Sequence, residues 1–529
     1  MAITLEQAAG QQFLLSFQGK QRPPRELIQI LRRQHVGGIV LFRAKNMGSL
    51  DDLRGLTEAL QAEAAKAGQP PLLIAADQEG GQLMAIGDAT PFPGNLALGA
   101  TRSEKLAYLV GQALGREVSA VGINVDFAPV CDVNNNPRNP VVGTRSFGEN
   151  PALVGRLSAA MVKGLQRSGV AASAKHFPGH GDTSSDSHHG APVLPHDLKR
   201  LQRIELPPFR SAIAAGVRLI MTAHIVLPAL NGHSESPATL SPQILRGLLR
   251  RKLGFEGLIV TDALDMHAMD QGAGLPIDVI TALNAGADLL IFNHDLGRLE
   301  TVFTSVLQAL RRGLLSVDEL NASALRILNL KKWVIRRKQL PLSVVGCREH
   351  RELAQEVARQ SVTLVHDRSG LLPVRVPAAA RIAVVVPRPE DLTPADTSSY
   401  LIPGLAPAVR RHHPSVEEFV IAMNPSAAEV RQLREQLRSF DLVIAGTINA
   451  DTHRGQAGLI TALLKQSTPT IAVALRMPYD IWAYPLAPVY ACTYSILQPS
   501  MDALADALWG LIPFPGQLPV SIPEGVRTH

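Results

Sequence analysis

The chain has 529 residues, 46% of them hydrophobic and 19% charged, which excludes wholesale disorder and leaves room for two to four domains at roughly 100–200 residues each. Its net charge of +6 is diluted over that length. No lysine- or arginine-rich run is long enough for a nucleic-acid footprint, and Arg250-Arg251-Lys252 reads as the solvated end of a helix.

In chain order, short apolar runs at 36–42, 71–77, 123–130, 170–176, 217–224, 257–262 and 287–293 alternate with amphipathic stretches at 50–66, 103–121, 151–168, 198–215 and 241–253. Apolar runs of strand length separated by helical periodicity predict parallel strands joined by crossover helices. Seven or eight such units fit a (β/α)8 TIM-like barrel over 1–340 better than a doubly wound sheet. Asp77, Asp132, Lys175, His176, His224, Asp262 and Asn293 each fall where a predicted strand ends, the face on which barrel enzymes carry their sites. Helical pattern returns over 316–337, then 338–348 carries Pro and Gly without periodicity, and a linker is placed at 341–352. The remainder, 353–529, reads as a smaller doubly wound α/β domain. Its predicted strands are 381–386, 442–446, 470–475 and 489–493, with helices at 427–438, 459–466 and 502–511. No glycine-rich phosphate loop follows these strands, so no nucleotide cofactor is expected, and Arg410-Arg411-His412-His413 reads as a solvated patch.

Cys131, Cys347 and Cys492 stand far apart, without the spacing of a disulfide framework or a metal site, which predicts reduced thiols in a cytoplasmic protein. No apolar stretch approaches the ~20 residues of a bilayer span, and the first residues show no basic segment leading into an apolar core. A soluble protein without membrane or nucleic-acid partners is expected.

The segment 175–190, Lys-His-Phe-Pro-Gly-His-Gly-Asp-Thr-Ser-Ser-Asp-Ser-His-His-Gly, follows directly on an apolar run and carries four His, two Asp and one Lys. So many titratable groups on a glycine-hinged loop at a strand end suit chemistry better than mere connection. Within it, Asp186-Ser187-His188 offers an acid/base, with the Asp186 carboxylate orienting the imidazole of His188. A metal site built from His180, His188, His189 and His196 is a second reading, weakened by the lack of His-x-His or His-Glu-x-x-His spacing, so no metal is expected. A loop that simply faces water is the third. Asp262 closes the strand 257–261 and reads either as a nucleophile on a rigid element or as a structural carboxylate bonding backbone amides. Asp265 reads as a helix cap or supporting group.

These residues resemble the motifs of family-3 glycoside hydrolases, specifically the bacterial N-acetyl-β-D-glucosaminidase branch that cleaves muropeptides in cell-wall recycling. The similar stretches, in order, are Asp77-Gln78-Glu79-Gly80-Gly81, Phe127-Ala128-Pro129-Val130-Cys131-Asp132-Val133 and Gly143-Thr144-Arg145-Ser146-Phe147-Gly148. They continue with Lys175-His176-Phe177-Pro178-Gly179-His180-Gly181 plus Asp186-Ser187-His188, then Val260-Thr261-Asp262-Ala263-Leu264, and the end of the second domain, 516–523, is similar too. The resemblance implies a retaining, exo-acting enzyme that removes terminal β-linked GlcNAc from GlcNAc–MurNAc fragments, without a cofactor. In it Asp262 would be the nucleophile and His188, held by Asp186, the acid/base in place of the second carboxylate of most retaining glycosidases. Asp77, Arg145, Lys175 and His176 would bind the sugar. One departure stands out: the family places an Arg eight residues after the first-motif Asp, where this chain has Ala85. A missing charge-assisted bond is worth about 1.5–3 kcal/mol, so either another Arg fills the gap in space or the preference has shifted. Alternative readings are a phosphorylase using the same Asp/His pair, a metal-dependent hydrolase, and a non-catalytic sugar-binding protein.

Overall fold

The computed structural model describes residues 3–522 except 185–190, 232–235, 266–268, 270–273, 294–295, 337–338, 392–395 and 467. Eight parallel strands close into a barrel: β1 (Phe13–Leu15), β2 (Gly38–Leu41), β3 (Leu73–Ala76), β4 (Val125–Asp126), β5 (Ala171–Phe177), β6 (Leu219–Thr222), β7 (Leu258–Ala263) and β8 (Leu289–Phe292). Each strand pairs with its neighbours in sequence, and β1 closes on β8 through Phe13–Leu290 and Leu15–Phe292 register. The expected TIM-like barrel is therefore present. Its first strand was not among the expected runs, because three apolar residues beside the helix Leu5–Gly10 give no usable period.

Both faces of this sheet are buried, which is why the strands read as unbroken apolar runs. Leu14, Val40, Leu73, Val125, Leu219, Leu258 and Leu289 fill the interior, while the alternate residues Phe13, Leu15, Ile39, Ile74, Ile259 and Leu290 pack beneath the helices. The helix Val317–Val334 closes the N-terminal end of the barrel, adding Ile327, Leu330 and Val334 to the interior cluster.

At that end Asp288, fully buried before β8, accepts the Ile259 amide (2.8 Å), the Ser323 hydroxyl (2.8 Å), Arg250 Nη2 (2.5 Å) and Arg326 Nη2 (2.7 Å). Arg250 also donates to the Phe255 and Gly257 carbonyls. The run 250–252 is thus divided: Arg251 and Lys252 are exposed as expected, but Arg250 turns inward to pair with Asp288.

The second unit is a six-stranded sheet in the order β9 (Thr363–Asp367), β14 (Val489–Cys492), β13 (Thr470–Ala474), β12 (Leu442–Thr447), β10 (Ile382–Pro387), β11 (Val416–Ile421), parallel except for β9 against β14. The four predicted strands are β10, β12, β13 and β14. Both edge strands escaped the sequence reading. β11 is Val-Glu-Glu-Phe-Val-Ile, half exposed and too acidic to look like a buried run, and β9 carries His366 and Asp367 on an edge. The segment 341–352 is not linker throughout: a helix, Arg348–Ser361, begins inside it, and its Ala354 and Val357 join the barrel's core cluster. The patch 410–413 is likewise more than solvated surface. His413 is buried and donates to the Ala380 carbonyl, while Arg411 and His412 both pair with Asp506 and His412 stacks on Trp509. The two units share a seam in which Leu96, Ala97 and Ala100 enter the second unit's core. Across it Gln517 N–H donates to the Ala100 carbonyl at 3.0 Å and Glu149 N–H to the Pro519 carbonyl at 3.1 Å. Among the described residues no helix is long and apolar enough to cross a membrane.

Replacing Asp288 by Ala strands two guanidiniums and a strand amide far from the mouth of the barrel. Chemical denaturation is expected to show a loss of about 3–5 kcal/mol, as for removal of one partner from a buried ion pair.

Candidate active site

The strands deliver their polar ends to one rim. After β3 the chain makes a small hairpin, Gln78–Gly80 with Leu83–Met84, turned by Gly80 and Gly81 at φ of 80° and 65°, the left-handed region where a side chain is disfavoured. Extended backbone puts Asp77 and Glu79 on the same side. Glu79, 2% exposed, accepts Arg145 Nε at 3.0 Å and Nη2 at 2.7 Å, a bidentate pair, and lies 2.6 Å from Lys175 Nζ. Lys175 Nζ also donates to Asp77 Oδ1 at 2.5 Å, and Asp77 is the member of the four that reaches solvent, its side chain 25% exposed.

Burial alone would raise the Glu79 carboxyl, but Arg145 and Lys175 prevail and bring it down to about 2. Burial pulls Lys175 down as well, yet Asp77 and Glu79 outweigh it and hold the ammonium above its ordinary value. Glu79, Lys175 and Arg145 therefore stay charged together. His176 continues the network: Nδ1 meets Asp132 Oδ2 at 2.7 Å and Nε2 lies 3.3 Å from Arg145 Nη2. Since the guanidinium can only donate, Nε2 accepts and Nδ1–H points to Asp132, an assignment made from the hydrogen-bond partners. Burial opposes ionisation of Asp132, but His176 and the His180 amide, 2.7 Å from Oδ1, keep it below the ordinary carboxylate value. Deeper still, Asp126 accepts the Gln78 amide at 3.0 Å, and burial pushes its carboxyl well up.

Asp262 lies in β7, the half-buried residue of an otherwise buried strand, and its Oδ1 accepts the Ala263 amide at 2.8 Å. His224, 1% exposed at the end of β6, meets the Ala263 carbonyl through Nε2 at 3.0 Å and Thr239 Oγ1 through Nδ1 at 2.9 Å. Asp265 takes the Asn293 amide at 3.1 and 3.0 Å, tying the ends of β7 and β8, which fits a supporting role. Asp77, Arg145, Lys175 and His176 are thus brought together. Asp262 stands on the opposite side of the ring, since β3 and β7 are four places apart in a barrel of eight. Asp186 and His188 lie outside the described residues. The chain leading to them is fixed at His180 and Thr183, where Asn139 Nδ2 donates to the His180 carbonyl at 2.8 Å and the Thr183 carbonyl at 3.2 Å.

Comparison with known proteins decides the family. The model for the glycosyl hydrolase family 3 N-terminal domain matches residues 4–330. The β-hexosaminidase A of Pseudoalteromonas piscicida is 33% identical across 98% of this chain and 97% of its own length. A β-N-acetylglucosaminidase/β-glucosidase of Cellulomonas fimi is 30% identical across 94% of this chain and 90% of that protein. The structure of a glycoside hydrolase family 3 β-N-acetylglucosaminidase from Paenibacillus sp. str. FPU-7 superposes with a TM-score of 0.93 at 36% identity, covering 99% of this chain and all of that one. The chain belongs to glycoside hydrolase family 3.

As a family-3 glycoside hydrolase it offers a rim lined by fixed donors and acceptors, the complement of a ring of hydroxyls. Two contributors were given no role of their own from the sequence: Glu79, quoted only inside a motif, and Asp132, named only as a strand-end residue. A signal existed for the first: two carboxylates at i and i+2 in an extended segment share a face and call for cations between them. Of the four histidines named for the alternative metal reading, His188 and His189 lie outside the described residues, and His180 and His196 bond to separate partners. His180 Nδ1 meets Thr183 Oγ1 and His196 Nε2 meets Asp182 Oδ2, at 2.7 and 2.8 Å. Among the described residues Asp182, His196 and Glu205 do bring ligand atoms within 4.8 Å of one another, but Arg200 already supplies the cation, 2.9 Å from Asp182 and 3.2 Å from Glu205.

The depressed Glu79 carboxyl carries a sign. Its contribution to stability is complete above the unfolded value near 4.5 and is lost as pH falls toward about 2. Urea midpoints of the unmodified protein and Glu79→Gln should therefore lie furthest apart at pH 6–7 and converge as pH is lowered through 4. A constant gap across that range would mean Glu79 is not ionised in the native site.

Proposed function

We propose that the protein is a retaining, exo-acting β-N-acetylglucosaminidase that removes terminal β-linked GlcNAc from peptidoglycan-derived GlcNAc–MurNAc fragments in the cytoplasm. The observation that carries this reading is that the half-buried Asp262 carboxylate of β7 stands four strands from Asp77, which is bonded into the cluster of Lys175, Glu79, Arg145 and His176 at the same barrel mouth. The relatives named above as β-hexosaminidase and β-N-acetylglucosaminidase, matched over nearly the whole chain, favour an N-acetylated amino sugar as the terminal residue.

In the first step an Asp262 oxygen forms a bond to the anomeric carbon as the bond to the leaving oxygen breaks, and the imidazolium of His188 gives that oxygen its proton. In the second, water attacks the glycosyl ester, His188 takes its proton, and the Asp262 carboxylate departs. Both displacements invert, so the configuration is retained. Asp186 would hold the His188 ring in line. The cluster across the mouth does no covalent chemistry; it fixes the ring so that the anomeric carbon meets Asp262 along one line. The three thiols fit the cytoplasmic placement: Cys131, Cys347 and Cys492 are all free, the first and last buried.

Nitrophenyl β-N-acetylglucosaminide tests the reaction, and the disaccharide GlcNAc–anhydroMurNAc the substrate. Asp262→Asn is expected to abolish release, while His188→Ala should lose about 10²–10⁴-fold on the disaccharide, the usual worth of an acid/base. The loss should be smaller on the nitrophenyl glycoside, whose leaving group needs no proton. NMR of the first product should show the β-anomer. Undiminished turnover by Asp262→Asn, or an α-product, would overturn the mechanism; faster cleavage of chitobiose than of the MurNAc disaccharide would overturn the substrate.

A further inference from the structure

We infer that Arg43 reads the 4-hydroxyl of the terminal sugar and so sets how strongly the enzyme prefers GlcNAc over its 4-epimer GalNAc. This rests on the proposed role of Asp262, because the position of the anomeric carbon fixes the rest of the ring. In a pyranose C1 and C4 lie at opposite ends. With C1 at Asp262 on β7, C4 and its hydroxyl are directed toward β3, four strands away around the barrel, where Asp77 stands.

Arg43 belongs to that side. It lies two residues beyond β2, the neighbour of β3, in the short turn Arg43–Asn46. Its Nη1 donates to the Met84 carbonyl at 3.2 Å. The next residue, Ala85, gives its N–H to the Asp77 carbonyl at 3.1 Å, so the guanidinium stands beside the segment that fixes Asp77. One face of the guanidinium is covered by the Tyr400 ring of the second unit, 4.2 Å from the centroid. Gly87 leaves room for it: a Cβ there would come within 2.8 Å of Nη2. Arg43 is half-buried, yet among the described residues its bonded partner is a neutral carbonyl, and no carboxylate lies within ion-pair distance. Asp88 and Asp391 act on it only from further away. Lys45, in the same turn, is directed elsewhere, to Ser16 and the Asn293 carbonyl.

A guanidinium has five N–H donors in a rigid plane. Held by a stack on one face and a single carbonyl, Arg43 keeps donors available in a fixed direction. A directional donor distinguishes an equatorial from an axial hydroxyl, which an apolar wall of the same shape does not. Sites built to bond a hydroxyl discriminate far more strongly than those that merely fit one.

The test compares kcat/KM of unmodified enzyme, Arg43→Met and Arg43→Lys on the nitrophenyl β-glycosides of GlcNAc, GalNAc and 4-deoxy-GlcNAc, with melting temperatures recorded alongside. Arg43→Met should lose about 10–100-fold on GlcNAc and much less on GalNAc, so the preference collapses by about tenfold or more. On the 4-deoxy sugar the two enzymes should converge, because the hydroxyl that Arg43 reads is gone. Arg43→Lys should recover part of the preference. If Arg43→Met does not fold, Gly87→Ala, which crowds the guanidinium from outside, should erode the same ratio. Equal losses on all three sugars would reduce Arg43 to a packing residue and overturn the inference while leaving the proposed reaction standing. No turnover of any of them by the unmodified enzyme would remove the reaction itself, and this inference with it.

Discussion

Two buried cations at the rim of the barrel, Arg145 and Lys175, are tolerable because Glu79 stands between them. Each charge would cost several kcal/mol to desolvate alone, and neither could be left unpaired without that penalty. Glu79 meets the guanidinium with both oxygens and the ammonium with one of them, so the three side chains define one another's positions. Lys175 then has a proton to direct at Asp77, and Arg145 one to direct at His176. The groups that face a sugar are thereby set by a carboxylate that itself sits beneath the surface. Preorganisation of this kind removes the cost of assembling donors and acceptors at the moment of binding.

The two ends of the barrel use buried charge for opposite ends. Asp288, at the foot of β8, draws in Arg250 and Arg326 and saturates its oxygens with a strand amide and a hydroxyl. That arrangement locks two strands to the closing helix. At the mouth the accounting is deliberately incomplete. Asp77 remains partly exposed and Asp262 is the one strand residue of β7 not fully covered. Saturated pairs at the N-terminal face and open ones at the C-terminal face are what a barrel enzyme requires, since the loops after the strands carry the reaction.

Much of this was legible from residues alone, and the failures have physical causes. The interior strands β2 to β8 declared themselves because a parallel sheet covered on both faces has no polar alternation to blur it. β1 was too short to show a period, and β11 hid behind Glu417 and Glu418 because an edge strand has a face to spare for charge. Of the site, Asp77, Arg145, Lys175 and His176 meet in one network, and Asp262 lies near the end of its strand. Glu79 was overlooked although it is the linchpin, since burial of an acid is a property of its partners and those lie 66 and 96 residues further along the chain. Arg250 was misjudged for the same reason: a basic run at a helix end looks solvated until the acid that claims one member is known.

The missing guanidinium at Ala85 shows how far such long-range placement goes beyond motif reading. A motif residue is tied to its position in the chain, whereas a sugar hydroxyl responds only to a donor in the right place. The hairpin that holds Ala85 is pinned from several sides: Asp126 takes the Gln78 amide, Thr144 donates to the Gln82 side chain, and Thr397 of the second unit donates to the Gln82 carbonyl and accepts the Met84 amide. Thr397 is in turn flanked by Asp396, which pairs with the buried Arg476, and by Ser398, whose amide Asp396 accepts. A segment so constrained can lose one side chain without losing its course. The Met84 carbonyl then accepts Arg43 Nη1 at 3.2 Å, so a guanidinium from a different part of the chain is held beside the hairpin.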